Sequence, residues 1–367
     1  MNVDAEILFK LIRISLGNNS YFSVPKQCDW QSVFELSVEQ NVTALSFGGL
    51  MKLDNVEIED EIRYKWLGYV LVLEKKNNQR LCVARDLANF WNQVGLDVFL
   101  LKGFSIAQFY PNMFYRESVD IDIYLCKRDA SDKNEGWKLG NKVIENMGIK
   151  VNKRDFRHSI FTWDGVKIEN HRICASSVRG KRRLKKLDDY LKELLMGLDK
   201  IDYQYIDGTC TISPPPLFNV IFFIQHAYSH FMNEGLTLKN ICDWGVLVKT
   251  YYYNGESFWH NYNNVCKEYG FLNFSDSLSR IIYLVCGVKA PWFLSPPDLQ
   301  PHDYLLLSDC FKNPVVKVTF KNSNLTHIQQ AINKVGGFWK YKYYSDYSLI
   351  ADVFLSFWGT IVDKNKE

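Results

Sequence analysis

Two six-residue runs, His158–Trp163 and Val166–His171, are separated only by Asp164 and Gly165. An Asp-Gly pair between two such runs predicts a tight antiparallel hairpin, since both of its positions tolerate the positive φ that the turn demands. A second pair of strand-like runs lies upstream, Val98-Phe99-Leu100-Leu101 and Ile121-Asp122-Ile123-Tyr124-Leu125. Residues 95–175 therefore predict a compact α+β unit built on a mixed sheet.

Helical spacing dominates on either side. Residues 1–93 carry apolar positions at roughly helical intervals, among them Leu81, Val83, Leu87, Phe90 and Trp91, and Gly95 is placed to cap the last helix. Within the α+β unit a helix is expected over 132–146, ending at Gly148. Beyond it, helices are expected over 181–195, 217–231, 238–251, 258–269 and 275–285. A short hairpin turns at Asp207-Gly208, and Pro214-Pro215-Pro216 is the sharpest linker signal. The expected division is a helical region 1–94, the α+β core 95–175, a helical region 176–290 and a mixed region 291–367.

At 367 residues the chain is long for one core, so two or three packed units are expected. A net charge of +3 does not imply nucleic-acid binding by itself. No apolar run approaches the ~20 residues needed to span a bilayer. The N-terminus, with Asp4, Glu6, Lys10 and Arg13 among Ile7, Leu8, Leu11 and Ile12, has an amphipathic helix pattern rather than that of a signal peptide. The expected location is cytoplasmic, with no membrane partner. The nine cysteines form no C-x-x-C pair; Cys82, Cys126 and Cys286 are expected as buried thiols.

The chemistry concentrates in the core. Residues i and i+2 of a strand share a face, so Asp120 and Asp122 are expected side by side, with Val119, Ile121 and Ile123 turned inward. Adjacent carboxylates on a rigid strand suit a divalent cation. Gly103, just after a strand, lets a phosphate approach the backbone. Together these point to metal-assisted nucleotidyl transfer. A third acid on a neighbouring strand is needed, and Glu169 alternates onto one face with Lys167 and His171. It is expected either to complete the metal site or to assist removal of an acceptor proton. His171 would orient a phosphate or the acceptor. An ordinary half-exposed strand can also carry two acids, so the weight rests on the shared context of Lys102-Gly103, Arg116-x-Ser118 and the later hairpin acid.

At these residues the chain resembles the nucleotidyltransferases of the DNA polymerase β superfamily, which carry a Gly and a small residue, then an Asp-x-Asp strand, then a third acid. Leu101-Lys102-Gly103 to Tyr110-Pro111, then Arg116 and Asp120-Ile121-Asp122, look most like a family of uncharacterised bacterial nucleotidyltransferases. The block is also similar to the toxin nucleotidyltransferases of abortive-infection systems. Glu169-Asn170-His171 matches the family's acid-x-His pair, and His226, His230 and Asp243 match a later helix. The resemblance covers roughly residues 30–270. It implies a polymerase β-like mixed sheet flanked by helices, magnesium or manganese bound by Asp120, Asp122 and Glu169, and a nucleotide set of Lys102, Gly103, Ser105, Arg116, Ser118 and His171. Phe104 departs from the pattern by standing where the second small residue belongs, and the gap from Gly103 to Asp120 is longer than in compact members.

Gly103-Phe104-Ser105-Ile106-Ala107 approximates a nucleophile elbow, giving a minor serine-hydrolase alternative through Ser105. His226 and His230 share a helix face without the Glu of a zinc motif, and are expected to line a cleft or contact phosphates. The basic run Arg179-Gly180-Lys181-Arg182-Arg183-Leu184-Lys185-Lys186 is a solvated helix start or an attractor of triphosphate or RNA. No P-loop or dinucleotide-binding glycine motif is present. The expected activity is magnesium-dependent transfer of a nucleoside monophosphate (NMP) from a nucleoside triphosphate (NTP) to an acceptor hydroxyl. The acceptor is a small molecule, a tRNA or a protein. The alternative is a silent module of the same fold that binds RNA or protein.

Overall fold

The computed structural model describes residues 3–18, 28–54, 56–176, 178, 180–200, 203–208, 210–312 and 337–346. Four helices come first: α1 (Val3–Ser15), α2 (Trp30–Glu39), α3 (Thr43–Leu50) and α4 (Asp60–Gln93). The sheet follows as β1 (Asp97–Leu101), β2 (Ile121–Cys126), β3 (His158–Trp163) and β4 (Val166–His171), with α5 (Gly103–Ala107) after β1 and α6 (Glu135–Asn146) after β2. After α7 (Lys181–Met196), the two-residue strands β5 (Gln204–Tyr205) and β6 (Ile212–Ser213) rejoin the sheet. Helices then continue as α8 (Pro216–Asn233), α9 (Leu238–Thr250), α10 (Glu256–Tyr269), α11 (Leu272–Cys286) and α12 (Pro301–Lys312).

The sheet runs β3-β4-β2-β1-β6-β5 and mixes strand directions: β2 is antiparallel to β1 and parallel to β4. The Asp164-Gly165 turn forms as its residues require, with φ of 47° and 73°, and fixes the register that sets His158 opposite His171. β1 is apolar on both faces because both are covered. Phe99 and Leu101 join Tyr124 and Cys126 in a core shared with α1, α8, α9 and α11. Val98 and Leu100 join Ile121, Ile123 and Ile168 against α4 and α6. The 34-residue α4 is about 50 Å long. Its second half packs on the sheet, while its first half joins α1, α2 and α3 in another apolar cluster.

Several expectations change in detail. β2 begins at Ile121, and Val119 is 76% exposed rather than turned inward, because the chain is still a loop at that point. Cys82 lies on the exposed side of α4, whereas Cys126 and Cys286 are buried. The triple proline is a tight corner between two packed elements rather than a linker: β6 ends just before it, Pro214 is buried, and the exposed Pro216 opens α8, where a missing N–H costs no helix bond. Of the mixed character expected from 291 onward, Val315 to Phe320 and Tyr347 lie outside the described residues, as does Arg179 of the basic run.

α6 backs the strand that carries Asp122. A Cβ on Gly136 would lie 2.0 Å from the Leu125 carbonyl oxygen, a backbone atom that no rotamer change can move. Gly136→Ala is expected to cost about 1–3 kcal/mol through this overpacking. Urea unfolding measures it, and a change within experimental error would show that α6 is free to shift away.

Candidate active site

The site lies where β1 ends and β2 begins, beside the second half of β4. Register alone brings its members together: Leu101 pairs with Asp122, and Asp122 with Glu169. Lys102 follows Leu101 directly, and its Nζ donates to Asp122 Oδ1 at 2.8 Å. His171, two residues beyond Glu169 on the same face, brings its Nε2 to the same Oδ1 at 2.9 Å. An ionised carboxylate can only accept, so this Nε2 carries the hydrogen. Ligand atoms of Asp122, Glu169 and His171 all lie within 4.8 Å of one another. Two carboxylates and an imidazole form a donor set suited to a divalent cation, magnesium or manganese among them. Ligation through His171 Nε2 would require that nitrogen to lose its proton.

Asp120 borders this group without belonging to it. It precedes the strand, is about a third exposed, and faces Lys167 Nζ at 3.6 Å. Lys167 also bonds Glu169, so it bridges the two outer carboxylates. Burial, reinforced by Asp122, raises the pKa of Asp120 against the pull of Lys102. Burial alone would also raise Asp122, yet Lys102 and His171 overcome it and hold this carboxyl far below the usual range. The central acid is thus firmly ionised, and the outer one is more readily protonated.

Lys102 has a left-handed backbone, φ 44° and ψ −134°, and Gly103 follows at φ 29°. For a residue with a side chain this conformation costs on the order of 1–3 kcal/mol. Gly103 has no atom within 4 Å of a Cβ position, so the turn is open on that side.

The structure turns the other expected nucleotide ligands elsewhere. Ser105 is fully buried and its Oγ donates to Asn219 Oδ1 of α8 at 2.8 Å. It faces the helix rather than the carboxylates, so the serine-hydrolase alternative lacks an exposed nucleophile. Arg116 meets Asp243 of α9 through Nε at 2.7 Å and Nη2 at 2.8 Å, and donates from Nη1 to Ser118 Oγ at 2.8 Å. Tyr110 adds a hydrogen bond to Asp243 at 2.7 Å. The loop ahead of Asp120 is also fastened to α4, where Asn77 Nδ2 donates to the Phe114 and Arg116 carbonyls.

Histidines complete the surroundings. His158, opposite His171, lies 3.9 Å from Glu169 Oε2. Burial lowers its pKa despite Glu169, so it faces the site as a neutral ring. His158 was not singled out from sequence, although counting back through the two-residue turn pairs it with His171. His226 and His230 meet Nε2 to Nε2 at 2.9 Å, and Glu234 takes the other nitrogen of His230 at 3.0 Å. Burial, with Lys102 and His230 beside it, pushes His226 well below its ordinary pKa. Just before His158, Phe156 and Arg157 line a cleft of about 450 Å³ with Ala175, Val178 and Leu184. In the basic run, Lys186 pairs with Glu268 of α10 at 2.6 Å, and Arg183 donates to the Glu268 carbonyl at 2.6 Å.

An α+β fold with a carboxylate–imidazole cluster at converging strand ends defines a class: a protein able to hold a metal ion beside a flexible ammonium. The chain belongs to a family described as "Uncharacterised nucleotidyltransferase", whose model matches residues 26–285. That span includes the sheet, the cluster and helices α8 to α10. No curated protein and no solved structure matches the chain. Membership makes the chain a member of a transferase family with an NTP as the implied substrate. Among the described residues, no helix is long and apolar enough to cross a membrane.

Proposed function

We propose that the protein transfers an NMP group from an NTP to an acceptor hydroxyl. The acceptor oxygen bonds to the α-phosphorus, the bond to the pyrophosphate oxygen breaks, and the acceptor proton leaves. The observation that carries this reading is the convergence of Asp122, Glu169 and His171 within 4.8 Å, next to Lys102, in a chain of a nucleotidyltransferase family. Asp122 and Glu169 would hold a magnesium or manganese ion with Asp120 at its flank, and His171 would ligate or orient. Such an ion, when bound, stabilises charge developing on the phosphoryl oxygens. Lys102 reaches the triphosphate from the mouth of the open Gly103 turn. His158, neutral and beside Glu169, is placed to help take the acceptor proton.

We infer a polymerase β-like arrangement for residues 95–175. Lys102-Gly103 and the Arg116-to-Asp122 block are the ground for this, and for likening the chain to abortive-infection toxins. Residues 1–94 and 176–290 would act as the helical walls and 291–367 as a further region, in a cytoplasmic protein. Among the described residues of the basic run, Lys181, Arg182 and Lys185 are those whose charge is left for an acceptor.

Calorimetric titration of each common NTP, with and without magnesium, tests the reading on the wild type and the Asp120→Asn/Asp122→Asn variant. Magnesium-dependent binding that the variant loses is the expected result. Binding in no condition would return the chain to the alternative of a silent RNA- or protein-binding module.

A further inference from the structure

Asp122 Oδ1 is the most contested atom of the site. Lys102 Nζ and His171 Nε2 both end on it, at 2.8 Å and 2.9 Å, with Lys102 largely shielded and Asp122 almost fully so. Because the ligand atoms of the cluster lie within 4.8 Å of one another, a cation shared by them would come close to that ammonium. Two positive charges at such separation in a shielded site repel strongly. Each therefore weakens the other's hold on the cluster.

The lysine is held there by design of the backbone. Its φ of 44° disfavours any residue with a side chain. The strained position therefore points to a use for the side chain rather than to a turn requirement. The ammonium sits at the end of a flexible stem, so it can leave without backbone movement. A triphosphate arriving at the open face of Gly103 offers several anionic oxygens within that stem's reach. Charge balance agrees: Lys102 and Lys167 together oppose Asp122, Glu169 and the neighbouring Asp120, leaving one net negative charge until an ammonium leaves.

We propose that Lys102 is an exchangeable plug. In the nucleotide-free protein it neutralises Asp122 and keeps a divalent cation out. An incoming triphosphate draws it from the carboxylate to the phosphates, and the cation then enters with the nucleotide. Metal and triphosphate are thereby coupled, each strengthening the other's binding. The inference rests on the proposed nucleotidyl-transfer reading of the same site.

The test is Mn²⁺ binding by the full chain without nucleotide, followed by calorimetry and by the spin-resonance signal of free Mn²⁺. Wild type, Lys102→Met, Lys102→Gly and Lys102→Arg are compared. Lys102→Met keeps the stem without its charge, Lys102→Gly relaxes the strained φ, and Lys102→Arg keeps the charge. Lys102→Met and Lys102→Gly are expected to bind Mn²⁺ about tenfold more tightly than wild type or more, with Lys102→Arg as weak as wild type. In a second arm, inorganic triphosphate without metal is expected to bind wild type and to lose affinity in Lys102→Met. Equal Mn²⁺ affinity in wild type and both uncharged variants would overturn the plug and leave the metal site standing. Weaker affinity in both would overturn it too. No Mn²⁺ binding in any variant, all folded by circular dichroism, would remove the metal reading itself and the plug with it.

Discussion

Asp243→Ala is expected to lower the free energy of unfolding by about 3–5 kcal/mol, because it strands a buried guanidinium. Arg116 is 7% exposed and Asp243 1%, so neither charge can turn to water when its partner is lost. Lys239 lies close enough to sense both: burial and then Arg116 lower its pKa, while Asp243 raises it. Removing the carboxylate takes away the nearest counter-charge of Arg116, leaving the weaker pull of Asp122 on Arg116 and of Glu117 and Asp120 on Lys239. Arg116→Ala is expected to cost less, since Tyr110 still donates to Asp243 and Lys239 partly compensates its charge. The double variant Arg116→Met/Asp243→Asn keeps an acceptor for Tyr110 and removes both charges. It should lose less stability than Asp243→Ala alone, as replacement of a whole buried ion pair often does. Urea unfolding of the four proteins decides the matter. A double variant that loses the sum of the two single losses would mean that the pair does not act as a unit. The anchor also bears on the site: Arg116 ties to α9 the loop that leads, four residues later, to Asp120.

Much of this architecture was legible wherever local chemistry alone decides the conformation. The Asp164-Gly165 turn needs only its own two residues, so both the hairpin and its register follow from sequence. Glu169 and His171 share a face by simple alternation, and the structure places both beside Asp122. Alternation misled at Val119, because the rule holds only inside a strand and β2 starts two residues later, at Ile121. The partners of Arg116 and Ser105 depend on contacts between segments more than a hundred residues apart. A local pattern marks such residues as noteworthy but does not tell a ligand from an anchor. The same limit applies to the triple proline, whose local stiffness is real but whose place between sheet and helix is set by β6 pairing with β1.

The position of Asp120 outside the cluster leads to a graded result. Asp122→Asn is expected to abolish magnesium-dependent nucleotide binding and to reduce transfer by roughly 10³-fold, since a bound ion contributes several kcal/mol of charge stabilisation. The fold should survive, because Asn keeps the shape and an oxygen that accepts from Lys102 and His171. Glu169→Gln is expected to come next. It removes a second acid of the convergent group and frees Lys167 from one of its two partners. Asp120→Asn should be the mildest of the three, about tenfold in magnesium-dependent affinity, because its carboxylate is outside the group that converges within 4.8 Å, is about a third exposed and pairs with Lys167. An Asp-x-Asp pair read from sequence alone treats the two aspartates as equals, so the order of the effects separates the two descriptions. Calorimetry with magnesium and the NTP that binds wild type ranks the variants without knowledge of the acceptor, and α-labelled nucleotide then follows transfer. Equal losses in Asp120→Asn and Asp122→Asn would mean that the loop before β2 closes onto the cluster when nucleotide binds. Wild-type affinity in Asp122→Asn would remove that residue from the metal site and, with it, the mechanism built on its charge.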